Sequence, residues 1–418
     1  MALPELRLTS DDRTTLEGLT ARADALVARA LDWCAIQSGS RNIAGLAEQR
    51  AALTGTLARL PGETTQVALG PASEVAPDGT TRAQPQTEAL KLTVRPDAPV
   101  QVVLTGHFDT VFPADTGFTT VKTRPDGALH GPGIADMKGG ISVMLGALEA
   151  FETHPLAARV GYRVLLSPDE EIGSPGSAPL LAEIARGAHI GMTYEPCMPD
   201  GALAGARKGS GNFHIAVRGK AAHAGRDFAS GRNAVAGAAV LAASLAGLNG
   251  QREGVTVNIG RIDGGGPLNV VPDSAVLRFN IRVPDAEAAD WCLARIDAAM
   301  AEVAVTGLAL HRHGGFTRPP KPMTEAQTRL FGALRGVGAL LGQDIVWRPS
   351  GGVCEGNNLF AAGLPNIDTL GVRGGDIHSE DEYAWPESFA ERARLSALLL
   401  MKIASGGVDA PAIRAAMV

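Results

Sequence analysis

Aromatic residues make up only 4% of the chain, with 3 tyrosines and 4 tryptophans. A platform on which bases or sugar rings stack needs more of them, so nucleic-acid and carbohydrate binding of that kind is not expected. A formal net charge of -6 and the lack of a long basic run argue in the same direction. The four cysteines, Cys34, Cys197, Cys292 and Cys354, are widely spaced and form no CxxC pair, the usage expected of a reducing compartment. The opening stretch from Met1 to Asp12 has neither the basic start nor the apolar run of a secretory leader, so a cytoplasmic location is expected. The most apolar helical stretch, Ala234 to Leu248, is alanine-rich and too short to span a bilayer, so no membrane partner is expected. There is no internal repeat. The polar, proline-containing stretch from Gly70 to Gln86 reads as a loop or hairpin.

Hydrophobic residues are plentiful, at 45% of 418 residues, and a chain of that length exceeds what one core usually supports. Short apolar runs at Val102–Leu104, Val160–Leu166 and Ile190–Tyr194 have the composition of buried strands. Each leads directly into acidic or imidazole side chains: His107 and Asp109 after the first, Glu170 and Glu171 after the second, Glu195 after the third. In open α/β sheets, ligands collect beyond the carboxyl ends of the strands. Asp136 lies in a glycine-rich turn ahead of a helix expected from Ile141 to Phe151, and His378 sits in a second bend far along the chain. His107, Asp136, Glu171, Glu195 and His378 form a set of two imidazoles and three carboxylates without a thiolate. Such a set favours two Zn²⁺ ions, or Co²⁺ or Mn²⁺ in their place, over a structural zinc or iron–sulfur site. Two such cations would acidify a bound water and polarise a carbonyl. A general base is still needed; Glu170 and Glu171 are neighbours that point to opposite sides in an extended segment, and spacing alone leaves open which of them binds metal.

The successive motifs Gly106-His107-Phe108-Asp109-Thr110, Gly131-Pro132-Gly133-Ile134-Ala135-Asp136-Met137-Lys138-Gly139-Gly140, Asp169-Glu170-Glu171-Ile172-Gly173 and Glu195-Pro196 resemble those of the M20 family of metallopeptidases. Gly219-Lys220-Ala221-Ala222-His223-Ala224-Gly225, Ser350-Gly351-Gly352 and His378-Ser379-Glu380-Asp381-Glu382 complete the set. The resemblance is strongest to the glutamate carboxypeptidase and acetylornithine deacetylase branch. It implies that Asp136 bridges two metals, that His107 and Glu195 bind one and that Glu171 and His378 bind the other. It further implies that Glu170 is the general base, that Asp109 orients His107, and that His223 reaches the active site of a partner subunit.

The fold implied is α/β, a zinc-peptidase-like catalytic domain with a mixed sheet flanked by helices. An α+β two-layer sandwich is inserted as a lid and dimerisation domain. The expected boundaries are 1–208 and 316–418 for the catalytic domain and 209–315 for the lid. Arg282 occupies the place where the family carries an arginine that grips a substrate carboxylate, a task suited to a guanidinium; an ordinary cross-strand ion pair is the alternative. Asn269, Gly351 and Gly352 are candidates for further polar contacts. Two departures from the family pattern stand out: Arg226-Asp227 replaces an expected proline after His223, and Cys354-Glu355 precedes Gly356-Asn357. The expected activity is hydrolysis of a peptide or N-acyl bond next to a carboxylate-bearing amino acid, on a small molecule or short peptide. A deacylase rather than a carboxypeptidase, or a silent small-molecule-binding relative, is the alternative.

Overall fold

The computed structural model describes residues 6–417. The larger core is built on a six-stranded mixed sheet in the order Glu63–Val67, Ala89–Val94, Val160–Ser167, Val100–His107, Ile190–Thr193, Asn366–Ile367. The last four strands run parallel to one another, and Ala89–Val94 runs antiparallel to both its neighbours. The parallel strands are apolar on both faces, as expected when helices cover both sides. Between the first two parallel strands in chain order, the helix Gly140–Phe151 crosses over; all but one of its residues are buried, because it lies between the sheet and the long helix Glu387–Ala404. The stretch from Gly70 to Gln86 contains a small hairpin of Ser73–Val75 and Thr81–Ala83.

A second sheet of four antiparallel strands, in the order Thr256–Gly264, Ser274–Val283, Gly209–Arg218, Ala309–Arg318, has its own hydrophobic core. Inward residues alternate along its strands, Phe213, Ile215 and Val217 beside Leu277, Phe279 and Ile281. They pack under the helices Ala234–Ala246 and Ala286–Ala304, which makes two layers. Its last strand continues to Arg318, three residues beyond 315, and so carries the chain from the small sheet to the edge of the large one. Among the described residues no helix is long and apolar enough to cross a membrane. All four cysteines are buried and unpaired.

Candidate active site

The parallel strands bring their carboxyl ends to one edge of the large sheet. His107 is the last residue of its strand, Ser167 ends the neighbouring one just before Glu170 and Glu171, and Glu195 follows Thr193 by two residues. Asp109 joins two of these ends. Its fully buried carboxylate lies 3.3 Å from His107 Nδ1 and accepts the backbone N–H groups of Glu170 at 3.1 Å and Glu171 at 3.2 Å, while Ser40 Oγ donates to it at 2.7 Å.

The turn that carries Asp136 depends on glycine at two places. Gly133 has φ +76, a conformation that side chains rarely adopt, and a Cβ on Gly140 would stand 1.9 Å from the Tyr194 carbonyl oxygen. The helix therefore starts hard against the strand end that leads to Glu195. The same turn is held from the His378 side. Glu382, fully buried, accepts the backbone N–H groups of Gly133, Ala135 and Asp136 at 3.1, 2.9 and 2.9 Å. His378 itself has φ +64, a strained value for a non-glycine residue of the kind often stored at functional sites.

Asp136 stands between the two imidazoles. His107 Nε2 is 3.1 Å from its Oδ1 and His378 Nε2 is 3.3 Å from its Oδ2. Glu171 Oε2 lies 3.2 Å from His378 Nε2, and Glu195 Oε1 lies 3.8 Å from His107 Nε2, too far for a hydrogen bond. Glu195 Oε1 is buried without a hydrogen-bond partner. Ligand atoms of His107, Asp136 and Glu171 fall within 4.8 Å of one another. All five residues proposed from the sequence as metal ligands thus converge.

The electrostatics of the cluster fit divalent cations. Burial, then the Asp136 charge, pushes the Glu195 carboxyl up to about 7 and Glu171 well above the ordinary range. Hydrogen bonds to Asp136 and Glu171 push His378 up to about 11. Burial pushes the Asp136 carboxyl up as well, but hydrogen bonds from His107 and His378 on either side outweigh this and hold it far below its ordinary range. Three carboxylates that do not all ionise readily beside two imidazoles mark a site short of positive charge. The orphaned Glu195 oxygen and the divided carboxylate of Asp136 suit two cations rather than one.

Glu170 and Glu171 diverge. Glu171 turns to His378, whereas Glu170 Oε1 accepts from Arg318 Nη2 at 2.6 Å. Both line a 550 Å³ cavity between the two sheets, with Arg282 and Gly352 also in its wall. His223 and Asn269 lie outside that cavity on exposed loops that pair with each other: Ala224 N–H donates to Asn269 O at 2.9 Å. Gly351 and Arg226 are exposed and likewise outside the cavity lining. Glu355 does not alter the cavity wall. It is buried against Ser167 Oγ, with burial pushing its carboxyl to about 8.

Several residues of the site were not anticipated from the sequence. Arg318, 2% exposed, pairs with Glu170 and also donates to Asn358. Arg207 and Asn280 line the cavity, and Glu382 and Ser40 fix its loops. The signal for Arg318 was an arginine ahead of Pro319-Pro320, where the prolines end the strand. For Arg207 it was a cation closing an apolar run from Leu203.

The arrangement sets a carboxylate, Glu170, beside a cluster of side chains that could hold metal ions. The model of the Peptidase family M20/M25/M40 matches residues 103–402, and the chain belongs to this family. Among characterised relatives, carboxypeptidase G2 of Pseudomonas sp. (strain RS-16) is 27% identical over 315 residues, 73% of this chain and 74% of that protein. The succinyl-diaminopimelate desuccinylase of Bordetella petrii is 27% identical over 300 residues, 67% of this chain and 77% of that protein. Human carnosine dipeptidase 1 shares the fold at TM-score 0.71 and 18% identity, covering 94% of this chain and 100% of that one. A tripeptidase from Staphylococcus aureus does so at TM-score 0.70 and 21% identity, covering 92% and 99%. The α/β fold with an added smaller domain and the hydrolase class expected from the motifs are borne out by this membership.

Proposed function

We propose that this chain is a two-metal amide hydrolase that cleaves a peptide or N-acyl bond next to a carboxylate-bearing amino acid. The observation that carries the reading is the cluster of His107, Asp136, Glu171, Glu195 and His378 at one cavity end, with Glu170 beside it on a separate partner. His107 and Glu195 would hold one cation, Glu171 and His378 the other, and Asp136 both. Zn²⁺ suits the donors, with Co²⁺ or Mn²⁺ as alternatives. Bound there, two divalent cations supply the positive charge that acidifies a water and polarises the amide carbonyl.

The side chains of the chain do the rest. Asp109 fixes the ring of His107 and the turn of Glu170 together. Glu170, engaged through Oε1 by Arg318, takes the proton of the attacking water and returns it to the departing amine. Arg282, whose Nη1 is buried without a partner, receives the α-carboxylate of the leaving amino acid. The relatives named carboxypeptidase and desuccinylase fit a carboxypeptidase and a deacylase equally, since the chemistry is shared.

Residues 209–315 act as a lid and dimerisation module. His223 and Asn269, outside this chain's own cavity, sit among exposed apolar side chains: Leu268 is 101% exposed, Phe228 65% and Val270 39%. Such a surface is what a second copy would cover, and a loop on it would then enter the partner's cavity. The four buried thiols support a reducing, cytoplasmic setting. Hydrolysis of N-acetyl amino acids, dipeptides and their C-terminal amides by zinc- or cobalt-loaded protein tests the reading, with metal content measured in the same sample. Turnover confined to free acids is expected. Full loading with no turnover on any member would overturn it in favour of a silent binding relative.

A further inference from the structure

The small four-stranded sheet turns one face to its two helices and the other away from them. On that second face Ser210, Asn212, Asn280 and Arg282 line the cavity. The same rows continue past the cavity to Arg278 and, at the far end, to Ala216 and Arg218. Arg278 thus shares the strand and the face of Arg282, four positions before it. What meets these rows is a segment from the other side of the cavity, the hairpin of Ser73–Val75 and Thr81–Ala83. Arg278 Nη2 donates to Val75 O at 2.8 Å, while its Nε is held by Asp263 Oδ2 at 2.8 Å. A Cβ on Gly79, at the hairpin tip, would stand 2.9 Å from Arg218 Nη2 and 3.3 Å from Ala216 Cβ. Val75 and Ala76, beside this contact, are buried.

The feet of the hairpin stand on the opposite wall. Gly70 N–H donates to Gly176 O at 3.0 Å, and a Cβ on Gly176 would stand 2.1 Å from Gln86 Nε2 and 2.8 Å from Leu69 Cβ. Leu69 and Gln86 share a small void with Asp169 and Ile172, the residues that flank Glu170 and Glu171. One short segment therefore touches both the turn of Glu170 and Glu171 and the strand of Arg282. Three paired residues per strand, joined to no further strand, do not hold a hairpin together in water. Its tip is set by local chemistry: Gly79 takes φ +76, and Asp78 Oδ1 accepts the N–H of Thr80 at 2.9 Å and its hydroxyl at 2.6 Å. The remaining support is what the hairpin packs against, so its order and the position of the small sheet are linked.

We propose that the hairpin is a strap across the two walls of the cavity, with Arg278 as its clasp, and that it holds residues 209–315 at the distance from the large sheet described above. Released, the small sheet moves away as a body and takes Arg282 with it. The inference rests on the proposed function only for calling that module a lid. It is tested without turnover, and a chain that hydrolyses nothing would leave it standing.

The four native cysteines are buried, so cysteines introduced at the exposed positions Ala182 and Ala294, on the helices Ala178–Ala185 and Ala286–Ala304, take spin labels selectively. Pulsed EPR on the labelled full chain, diluted into unlabelled protein, reads the distance within one chain. A single narrow distribution is expected with the natural strap, and Arg278→Ala should broaden it toward longer distances. Gly79→Val strains the turn and pushes the tip off Ala216; it changes the hairpin side alone, should have the same effect, and serves if Arg278→Ala does not fold. The double variant should add nothing to either single one. Arg278→Lys, which keeps a donor, should restore part of the narrow distribution. Tryptic cleavage after Arg82, exposed on the hairpin, is the reciprocal readout. Loss of the charge-assisted bond should speed it about tenfold or more in Arg278→Ala. A natural protein already as broad as the variants, or variants as narrow as the natural protein, overturns the proposal. Faster cleavage with distances unchanged would also overturn it, leaving the hairpin a loop that the small sheet orders without being held by it.

Discussion

The cavity has two charged ends, one crowded with carboxylates and the other holding a guanidinium and an ammonium group. At one end, Asp136, Glu171 and Glu195 crowd two imidazoles; burial and the Asp136 charge raise the proton affinities of Glu171 and Glu195, while Asp136 itself is held low by the two rings. At the other, Arg207 and Lys321 share a single carboxylate, Asp368; burial lowers the pKa of Lys321, and the Glu195 charge also acts on Arg207. A third buried group shows what balance looks like: Asp12 and Lys402 pair at 2.6 Å near the amino-terminal helix, with His154 Nε2, its pKa lowered by burial, 3.6 Å from the other Asp12 oxygen, beside no cavity that the chemistry uses. An ion pair with matched charges is structural. A mismatch kept buried on a cavity wall suits a ligand of the opposite sign, as divalent cations would be at the acidic end.

The comparison can be broken from either end. The largest effect is expected at the acidic end with Glu170→Ala, which removes the proton acceptor without touching a proposed metal ligand. Turnover should fall by about 10²–10⁴-fold with metal content, measured by elemental analysis, unchanged; near-normal turnover would remove Glu170 as the base. Asp368→Asn removes the one carboxylate that Arg207 and Lys321 share at the basic end. A loss of about 3–5 kcal/mol is expected in chemical unfolding, and a neutral result would mean that solvent reaches this cluster. Glu382→Gln loosens the three backbone N–H bonds that hold the Asp136 turn. Titration with a chromophoric competitor should show cation affinity down by about 10–100-fold, while a variant with full affinity would leave Glu382 a loop anchor without influence on the metals.

The smallest effect belongs to the balanced pair. Burial pushes Asp12 up, but hydrogen bonds from Lys402 and Thr9 overcome this and hold it below its ordinary value of 3.8. Its folded pKa is therefore the lower one. The stability it contributes is present above 3.8 and is lost as the pH falls through the depressed value. Thermal melts should show Lys402→Met less stable than the natural protein at neutral pH, with the gap closing in acid below 3.8. A gap that does not change with pH would show that the pair acts through packing alone.

Much of the acidic end was legible in the sequence, because its signals are local. A β-branched run followed within four residues by His107, Glu170–Glu171 or Glu195 fixes both the strand and the side chain at its end. Parallel pairing then gathers the ends. The glycines around Asp136 and at Gly140 likewise report local backbone demands. The helix expected from Ile141 begins one residue earlier at Gly140, and the strand expected at Val102–Leu104 extends to Val100 and His107. Extension of the ladder by pairing, which no local window contains, accounts for the second difference. The basic end was not legible. Asp368 is 161 positions from Arg207 and 47 from Lys321, and each of the three read alone is an ordinary surface charge. Arg318 was hidden in the same way, since its partner Glu170 lies 148 positions away.

The sequence by itself determined the order of the motifs, and through their resemblance the family, together with a candidate ligand set and the elements that carry it, since these signals act over a few residues at a time. Only the tertiary structure decided which charges are matched and which are left over. That balance is a sum over side chains brought together from distant strands, and burial, which makes an unmatched charge matter, exists only once the chain has closed around it.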